Sequence, residues 1–355
     1  MKTALITTTV HVPEVLRLHR AIDPDVAFFV AGDEKTPHEQ VVHIFRGWDS
    51  AGHFYIWPNA QKSYACSELI GWNCIQRRNI ALLEALRWGA DIIISVDDDN
   101  IPMTGDYFAY FQILLDGEPW NGLSVTAPWF DPGQLLLPPA SHRGLPIDVT
   151  HERIEEANAQ NRAGRSHFQV RHVVGAKVGV AAGLCLGDPD VSAITRIALG
   201  PTVQTVSELG RSGVVFTPGE ASWTVFNSQN TAFIRELAPA LFMPPGIGRY
   251  DDIVASLVCQ RVMREHGLSV HFGPPFVWQQ RNAHDLRKDL RDEAWGVENI
   301  GRVAVALDEV TSMTGFSVLD SVRHIYERLG GTNHLLPEIS VKAALAFCDD
   351  VEKVL

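Results

Sequence analysis

The fold turns on Asp91-Ile92-Ile93-Ile94-Ser95-Val96-Asp97-Asp98-Asp99-Asn100. Its apolar β-branched run is too short for a helix and suits a pleated surface, so it reads as a buried strand. Three adjacent carboxylates follow it. They repel one another, and burying any of them unpaired is costly. Two readings account for the triplet. One is a cation site where a buried strand surfaces, because open α/β sheets bind ligands at strand carboxyl ends. Hard divalent ions take carboxylate oxygens and share their shell with substrate phosphates. The other is a solvated acidic turn ahead of a helix that the spacing predicts around Tyr107–Leu115.

Upstream, Ala4-Leu5-Ile6-Thr7 reads as a buried strand running into the polar Thr7-Thr8-Thr9. A helical pattern starts at Pro13, and Val26–Val30 is a second strand stopping near Gly32-Asp33. Strand, helix, strand is how a nucleotide-binding α/β unit opens. In such a unit Asp33 accepts hydrogen bonds from a ribose or base; Gly32-Asp33 also reads as a plain turn. Gln76 to Trp88 has helical spacing through Ile80, Leu83 and Leu86. Arg77 and Arg78 fall in its first turn, where the helix dipole disfavours cations. That conflict points either to an anionic partner or to solvated arginines.

Downstream, Trp120–Pro128 reads as a strand and Phe130–Leu145 as a long loop rich in Pro and Gly, a type that is often functional. That composition predicts an exposed Arg143. His151–Gln169 is polar and charged, a solvent-facing helix or a mobile flap. Val173–Leu186 reads as buried strands with tight turns. Lys177 within it is a snorkelling lysine or a phosphate contact. Asp251 and Asp252 begin a helix with apolar Ile253, Leu257, Val258 and Val262, and their charge suits its amino terminus. Ser269–Phe272 is a further strand. Beyond Ala304 the pattern is helical and amphipathic, with a break near Gly330–Pro337.

With 46% hydrophobic and 20% charged residues over 355 positions, the chain is globular and long enough for a sizeable core. A formal charge of −12 without a basic stripe argues against nucleic acid as a partner. No uninterrupted apolar run approaches the roughly twenty residues of a membrane span. The opening MKTALITTTVHVPEV turns polar too early for a signal peptide and reads better as a strand. Five scattered cysteines fit reduced thiols in a cytoplasmic protein and show no zinc pattern.

Five stretches, in order and in rough register from Arg77 to Gln279, resemble the plant reversibly glycosylated polypeptides, which are UDP-arabinopyranose mutases, and their bacterial relatives such as GDP-galactopyranose mutase. These are Asp97-Asp98-Asp99; Arg143-Gly144-Leu145-Pro146; Gly183 to Asp190; Asn230 to Leu237; and Ile247-Gly248-Arg249-Tyr250-Asp251-Asp252. The amino-terminal part, in Gly32 to Pro37 and Arg78-Asn79-Ile80, also resembles STELLO-type glycosyltransferases. The resemblance departs at Gln279, where the family has histidine after tryptophan. His271 or His284 is then a candidate third metal ligand, or water takes that place.

The resemblance implies an α/β fold of the GT-A nucleotide-diphospho-sugar transferase type, with a central mixed, mostly parallel sheet flanked by helices. Residues 1–300 form its catalytic domain and 301–355 a helical carboxy-terminal extension. It implies an enzyme that interconverts the pyranose and furanose forms of a GDP- or UDP-linked sugar with Mn²⁺ or Mg²⁺. A GT-A glycosyltransferase using a separate acceptor and an inert nucleotide-sugar-binding or scaffold protein are the alternatives. Arg143, Asp251 and Asp252 become the catalytic candidates. Thr8, Asp33, Arg77, Asp97, Asp98 and Arg249 are the nucleotide-sugar-binding candidates, and Asp97 and Asp99 the metal ligands. Arg143 is the family's glycosylation site, although a guanidinium is a poor nucleophile and a natural diphosphate clamp. A homo-oligomer is left open.

Overall fold

The computed structural model describes residues 1–48, 52–158, 168–200, 202–279, 285–311, 313–331 and 334–355. Alternating strands and helices through Val96 build four parallel strands in the spatial order His53–Ile56, Ala27–Gly32, Thr3–Thr9, Ile92–Val96. Every residue of Ala27–Gly32 and of Ile92–Val96 is buried, which explains their unbroken apolar runs. Thr3–Thr9 has Ala27–Gly32 on one side and Ile92–Val96 on the other. The chain therefore crosses over in opposite directions from it, and a crevice opens beyond the carboxyl ends of Thr3–Thr9 and Ile92–Val96. Thr8, Thr9 and the acidic triplet all emerge there.

The sheet continues differently from expectation. Asn230–Ile234 inserts antiparallel beside Ile92–Val96, and next to it runs the 19-residue strand Gln169–Gly187. That long strand pairs antiparallel with Trp120–Thr126 through its first half and parallel with Leu268–Gln279 through its second. Val214–Phe216 and Asn100–Pro102 complete a ten-stranded sheet. Five of its pairings are parallel and five antiparallel, so it is mixed but not mostly parallel. The run of consecutive parallel strands ends at Val96; helices still separate many of the later strands, but those strands pair in both directions.

The helix Arg78–Trp88 packs on the first two strands, and Asp251–His266 is buried from Asp251 through Met263. The carboxy-terminal helices are Leu286–Asp308, Val318–Gly330 and Glu338–Val354. Their Ile300, Ile325, Tyr326 and Phe347 lie in the same core as Ile6 and Phe29. A boundary at 300/301 falls inside a helix. The polar stretch His151–Gln169 contributes to the helix Ile147–Asn158; its residues 159–167 lie outside the described residues. Among the described residues no helix is long and apolar enough to cross a membrane.

Candidate active site

A cleft of about 410 Å³ occupies the crevice, a size typical of small-ligand sites. Six aspartates line it, Asp97, Asp98, Asp99, Asp190, Asp251 and Asp252, with three arginines, Arg78, Arg143 and Arg249. Acidic groups therefore outnumber basic ones by two to one. The sheet brings in the triplet, the first turn of Asp251–His266 brings Asp251 and Asp252, and the loop before Ile147–Asn158 brings Arg143. Asp190 follows the strand Gln169–Gly187, Arg78 begins the helix Arg78–Trp88 and Arg249 lies in the turn Gly248–Tyr250.

Within the triplet the carboxylates have separate surroundings. Asp97 accepts from Arg78 Nη2 at 2.7 Å. Arg78 Nη1 also donates to the Ser228 carbonyl at 2.7 Å and to Ser95 Oγ at 3.2 Å. Asp98 accepts from the Thr9 hydroxyl, while burial, and after it the charge on Asp97, pushes its pKa above the usual carboxylate range. Asp99 lines the cleft beside them, as does Gln279, whose side-chain oxygen accepts from Gln229 Nε2.

The second cluster is a buried charge network. Arg143 is buried, not exposed as its loop composition predicts. Its Nε donates to both oxygens of Asp190 at 3.0 and 3.1 Å, and its Nη2 to Asp190 at 2.5 Å and Asp252 at 3.1 Å. Burial opposes its charge, but Asp190 and Asp252 outweigh burial and lift its pKa well above the ordinary arginine value. Gly144 makes this placement possible: its φ is +104°, and a Cβ there would lie 2.5 Å from Ile253. Arg249 reaches Asp190 at 3.4 Å and Asp289 at 2.7 Å, tying the cleft to the Leu286–Asp308 helix. Asp252 accepts from Ser228 N at 3.1 Å. The capping position of the helix Asp251–His266 is Tyr250, which makes no side-chain cap. Asp251 is held by Gln76 Nε2 at 2.8 Å, and burial, then Asp252, raises its pKa to about 7, with Arg143 opposing.

The structure gathers Thr8, Asp97, Asp98, Asp99, Arg143, Arg249, Asp251 and Asp252 around the cleft. It does not bring Asp33 or Arg77 there. The Asp33 carboxylate accepts from the backbone N–H groups of Glu34, Asn73 and Cys74, so it organises a turn. Arg77 is buried against Ser67, Gly71 and Gln61, with its guanidinium 3.5 Å from the Trp72 ring centroid. The neighbouring Arg78 is the arginine that faces the cleft; an odd cationic pair at a helix start signals both residues and cannot rank them. Asp190 was equally legible only as the end of the Gly183–Asp190 motif. Lys177 is exposed and outside the cleft lining.

A metal is the cofactor this donor set has to be tested against. Among the described residues no three His, Cys, Asp or Glu side chains gather as a self-sufficient metal cage. His271 does not fill the gap. It is fully buried beside Trp120, its ring centroid 4.7 Å from that indole, and burial lowers its pKa to about 3. His284 lies outside the described residues. Two hard carboxylates on an open cleft still fit an ion such as Mg²⁺, which binds through one or two carboxylates and keeps sites for water and phosphate oxygens.

Over 136 residues the chain is 32% identical to the probable UDP-arabinopyranose mutase 2 of Solanum tuberosum. The likeness to that mutase is confined to this stretch. The match spans 36% of this chain and 36% of that protein, about a third of the length of each. Residues 249–354 match the family model described as STELLO glycosyltransferases. That likeness lies in the carboxy-terminal third and takes in the helices beyond residue 300; Gly32–Pro37 and Arg78–Ile80 lie outside the matched residues. Among solved structures, the chain is similar to a mannosyltransferase of Pyrobaculum calidifontis, at TM-score 0.41 and 14% identity over 97% of this chain and 73% of that one. It is also similar to glucosyl-3-phosphoglycerate synthase of Mycobacterium tuberculosis, at TM-score 0.41 and 10% identity over 88% and 80%.

Proposed function

We propose that the cleft binds a nucleotide-diphospho-sugar, GDP- or UDP-linked, in a GT-A-like manner and interconverts its pyranose and furanose forms. The observation that carries this reading is the convergence, on one cleft, of the acidic triplet and the Arg143–Asp190–Asp252 network with Asp251 beside it. A diphosphate would not enter a cleft with six aspartates and three arginines unless a cation offset the excess. Mn²⁺ or Mg²⁺ on Asp97 and Asp99 would supply that charge and steady the diphosphate as it takes up the electrons of the C1–oxygen bond. Arg78, braced on Asp97 and Ser228, is placed to add a phosphate contact.

The remaining groups suit the sugar. Breaking the bond to C1 leaves an oxocarbenium-like centre, and Asp190, Asp251 and Asp252 provide negative charge for it. Ring exchange also moves hydroxyl protons. A group with a pKa of about 7 is matched to that task near neutral pH, which assigns Asp251 as the proton acceptor and donor. Arg143 is read as the group that fixes Asp190 and Asp252, with Nη1 left to meet the diphosphate. Its two carboxylate partners hold it protonated and without a lone pair, which disfavours a covalent carrier role.

The STELLO likeness over residues 249–354 supports a second reading, transfer of the sugar to a separate acceptor. Both readings require the same binding step. Calorimetry with UDP- and GDP-linked sugars should detect binding in the presence of Mn²⁺ and lose it in Asp99→Ala and Arg78→Ala. Binding unaffected by a chelator and by both substitutions would remove the cleft from the account.

A further inference from the structure

Gln76 does not line the cleft, yet it makes a close buried contact with a group that does. It stands in the 3-10 turn Ile75–Arg77, and its Nε2 donates to Asp251 Oδ2 at 2.8 Å across 175 positions of sequence. The turn is itself braced from behind. Arg77, the next residue, donates to Ser67 Oγ at 2.9 Å and to the Gly71 carbonyl at 2.7 Å. Just before Ser67, the backbone N–H groups of Ala65 and Cys66 donate to the two oxygens of Asp350 at 2.9 and 2.8 Å. Asp350 is buried and lies in the last helix, Glu338–Val354. A path of hydrogen bonds and peptide links thus runs from that helix through Cys66, Ser67 and Arg77 to Gln76.

We propose that Gln76 is a positioning residue for Asp251, holding its carboxylate ionised and oriented, and that Asp350 fixes Gln76 through this path. An amide N–H can only donate, so the contact favours the charged carboxylate over the protonated acid. It works with Arg143 and against Asp252, the charged neighbours that act most on Asp251; Arg78, Arg249, Asp190 and the triplet line the same cleft. Arg77 accordingly serves the site from outside it, which explains an arginine that reads as an anion ligand but sits away from the cleft. This inference rests on the assignment of Asp251 as the proton-transfer group.

The test compares wild type with Gln76→Leu, Gln76→Glu, Asp251→Asn and Asp350→Asn in two measurements. One is unfolding stability from pH 4 to 9. The other is the pH profile of kcat for furanose formation from UDP- and GDP-linked pyranoses with Mn²⁺. Gln76→Leu should move the apparent pKa seen by both upward by about one unit, the size expected for losing one hydrogen bond to a charged group. Gln76→Glu, nearly isosteric, should move it further, because two facing carboxyls share a proton. Asp350→Asn should move it in the same direction. An unmoved pKa in folded Gln76→Leu and Gln76→Glu, with Asp251→Asn inactive, overturns the role of Gln76 and leaves the functional reading intact. A lower stability without a pKa shift in Asp350→Asn overturns the path. Full turnover in Asp251→Asn, or no turnover in wild type, defeats the functional reading. The shift of the stability pH edge from wild type to Gln76→Leu then decides the Gln76–Asp251 contact by itself.

Discussion

Asp251 carries the clearest consequence of burial at the scale of a single residue. Its folded pKa, about 7, lies above the unfolded value near 4. Between those values the folded state binds more protons than the unfolded one, so this group makes stability fall as pH rises from about 4 to 7 and leaves it level above. Asp251→Asn removes the penalty and keeps an acceptor for Gln76. It should be more stable than wild type at pH 8 by something of the order of 1–3 kcal/mol, with the difference fading towards pH 4, while losing turnover. Urea unfolding at the two pH values checks the stability. Arg143 behaves oppositely. Arg143→Ala strips the partner from buried Asp190 and Asp252 and should cost about 3–5 kcal/mol, the usual effect of breaking a buried ion pair. Arg143→Lys keeps the charge but not the fork and should lose less. Denaturant midpoints of the two variants would show that order. The sequence identifies Arg143 as a functional candidate, but its burial was not legible there: a Pro/Gly-rich loop looks exposed unless the two aspartates that enclose it, far along the chain, are known.

At the scale of an element, the turn Gly248–Tyr250 joins the cleft to the helix Leu286–Asp308. Gly248 has φ +62°, and a Cβ there would lie 1.9 Å from the Asp292 carbonyl oxygen. Gly248→Ala should therefore push the helix away and cost about 1–3 kcal/mol through strain and overpacking. It should also weaken Mn²⁺-dependent nucleotide-sugar binding, because Arg249 would lose Asp289 and Asp190 together. Thermal unfolding and calorimetry on one preparation test both effects. Elements with one dominant signal were legible in sequence. The runs Ile92–Val96 and Ala27–Gly32 are strands because short runs rich in β-branched and aromatic residues have few other solutions. Gln169–Gly187 was not recognised as one 19-residue strand, because its first half is exposed and its second half buried. That change of environment breaks the periodicity by which a strand is read.

For the whole molecule, the crevice was predictable from the strand–helix alternation up to Val96, and the antiparallel half of the sheet was not. Pairing of the later strands depends on which strand finds the open edge, information that local pattern does not hold. The carboxy-terminal helices complete the core, since Ile325, Tyr326 and Phe347 are fully buried in it. A chain ending at Asp308 should expose Phe242, which packs on Tyr326 and Phe347, and should fail to give a cooperative unfolding transition by circular dichroism. The central claim is that one cleft, through Asp251 and the Arg143 network, exchanges sugar ring forms without an acceptor. Its most direct test is product analysis after incubating the full chain with UDP- and GDP-linked pyranoses and Mn²⁺ alone. The account predicts a furanose isomer of at least one substrate, abolished by Asp251→Asn and by a chelator. Nucleotide sugar recovered unchanged, or consumed only when an acceptor is added, would contradict it.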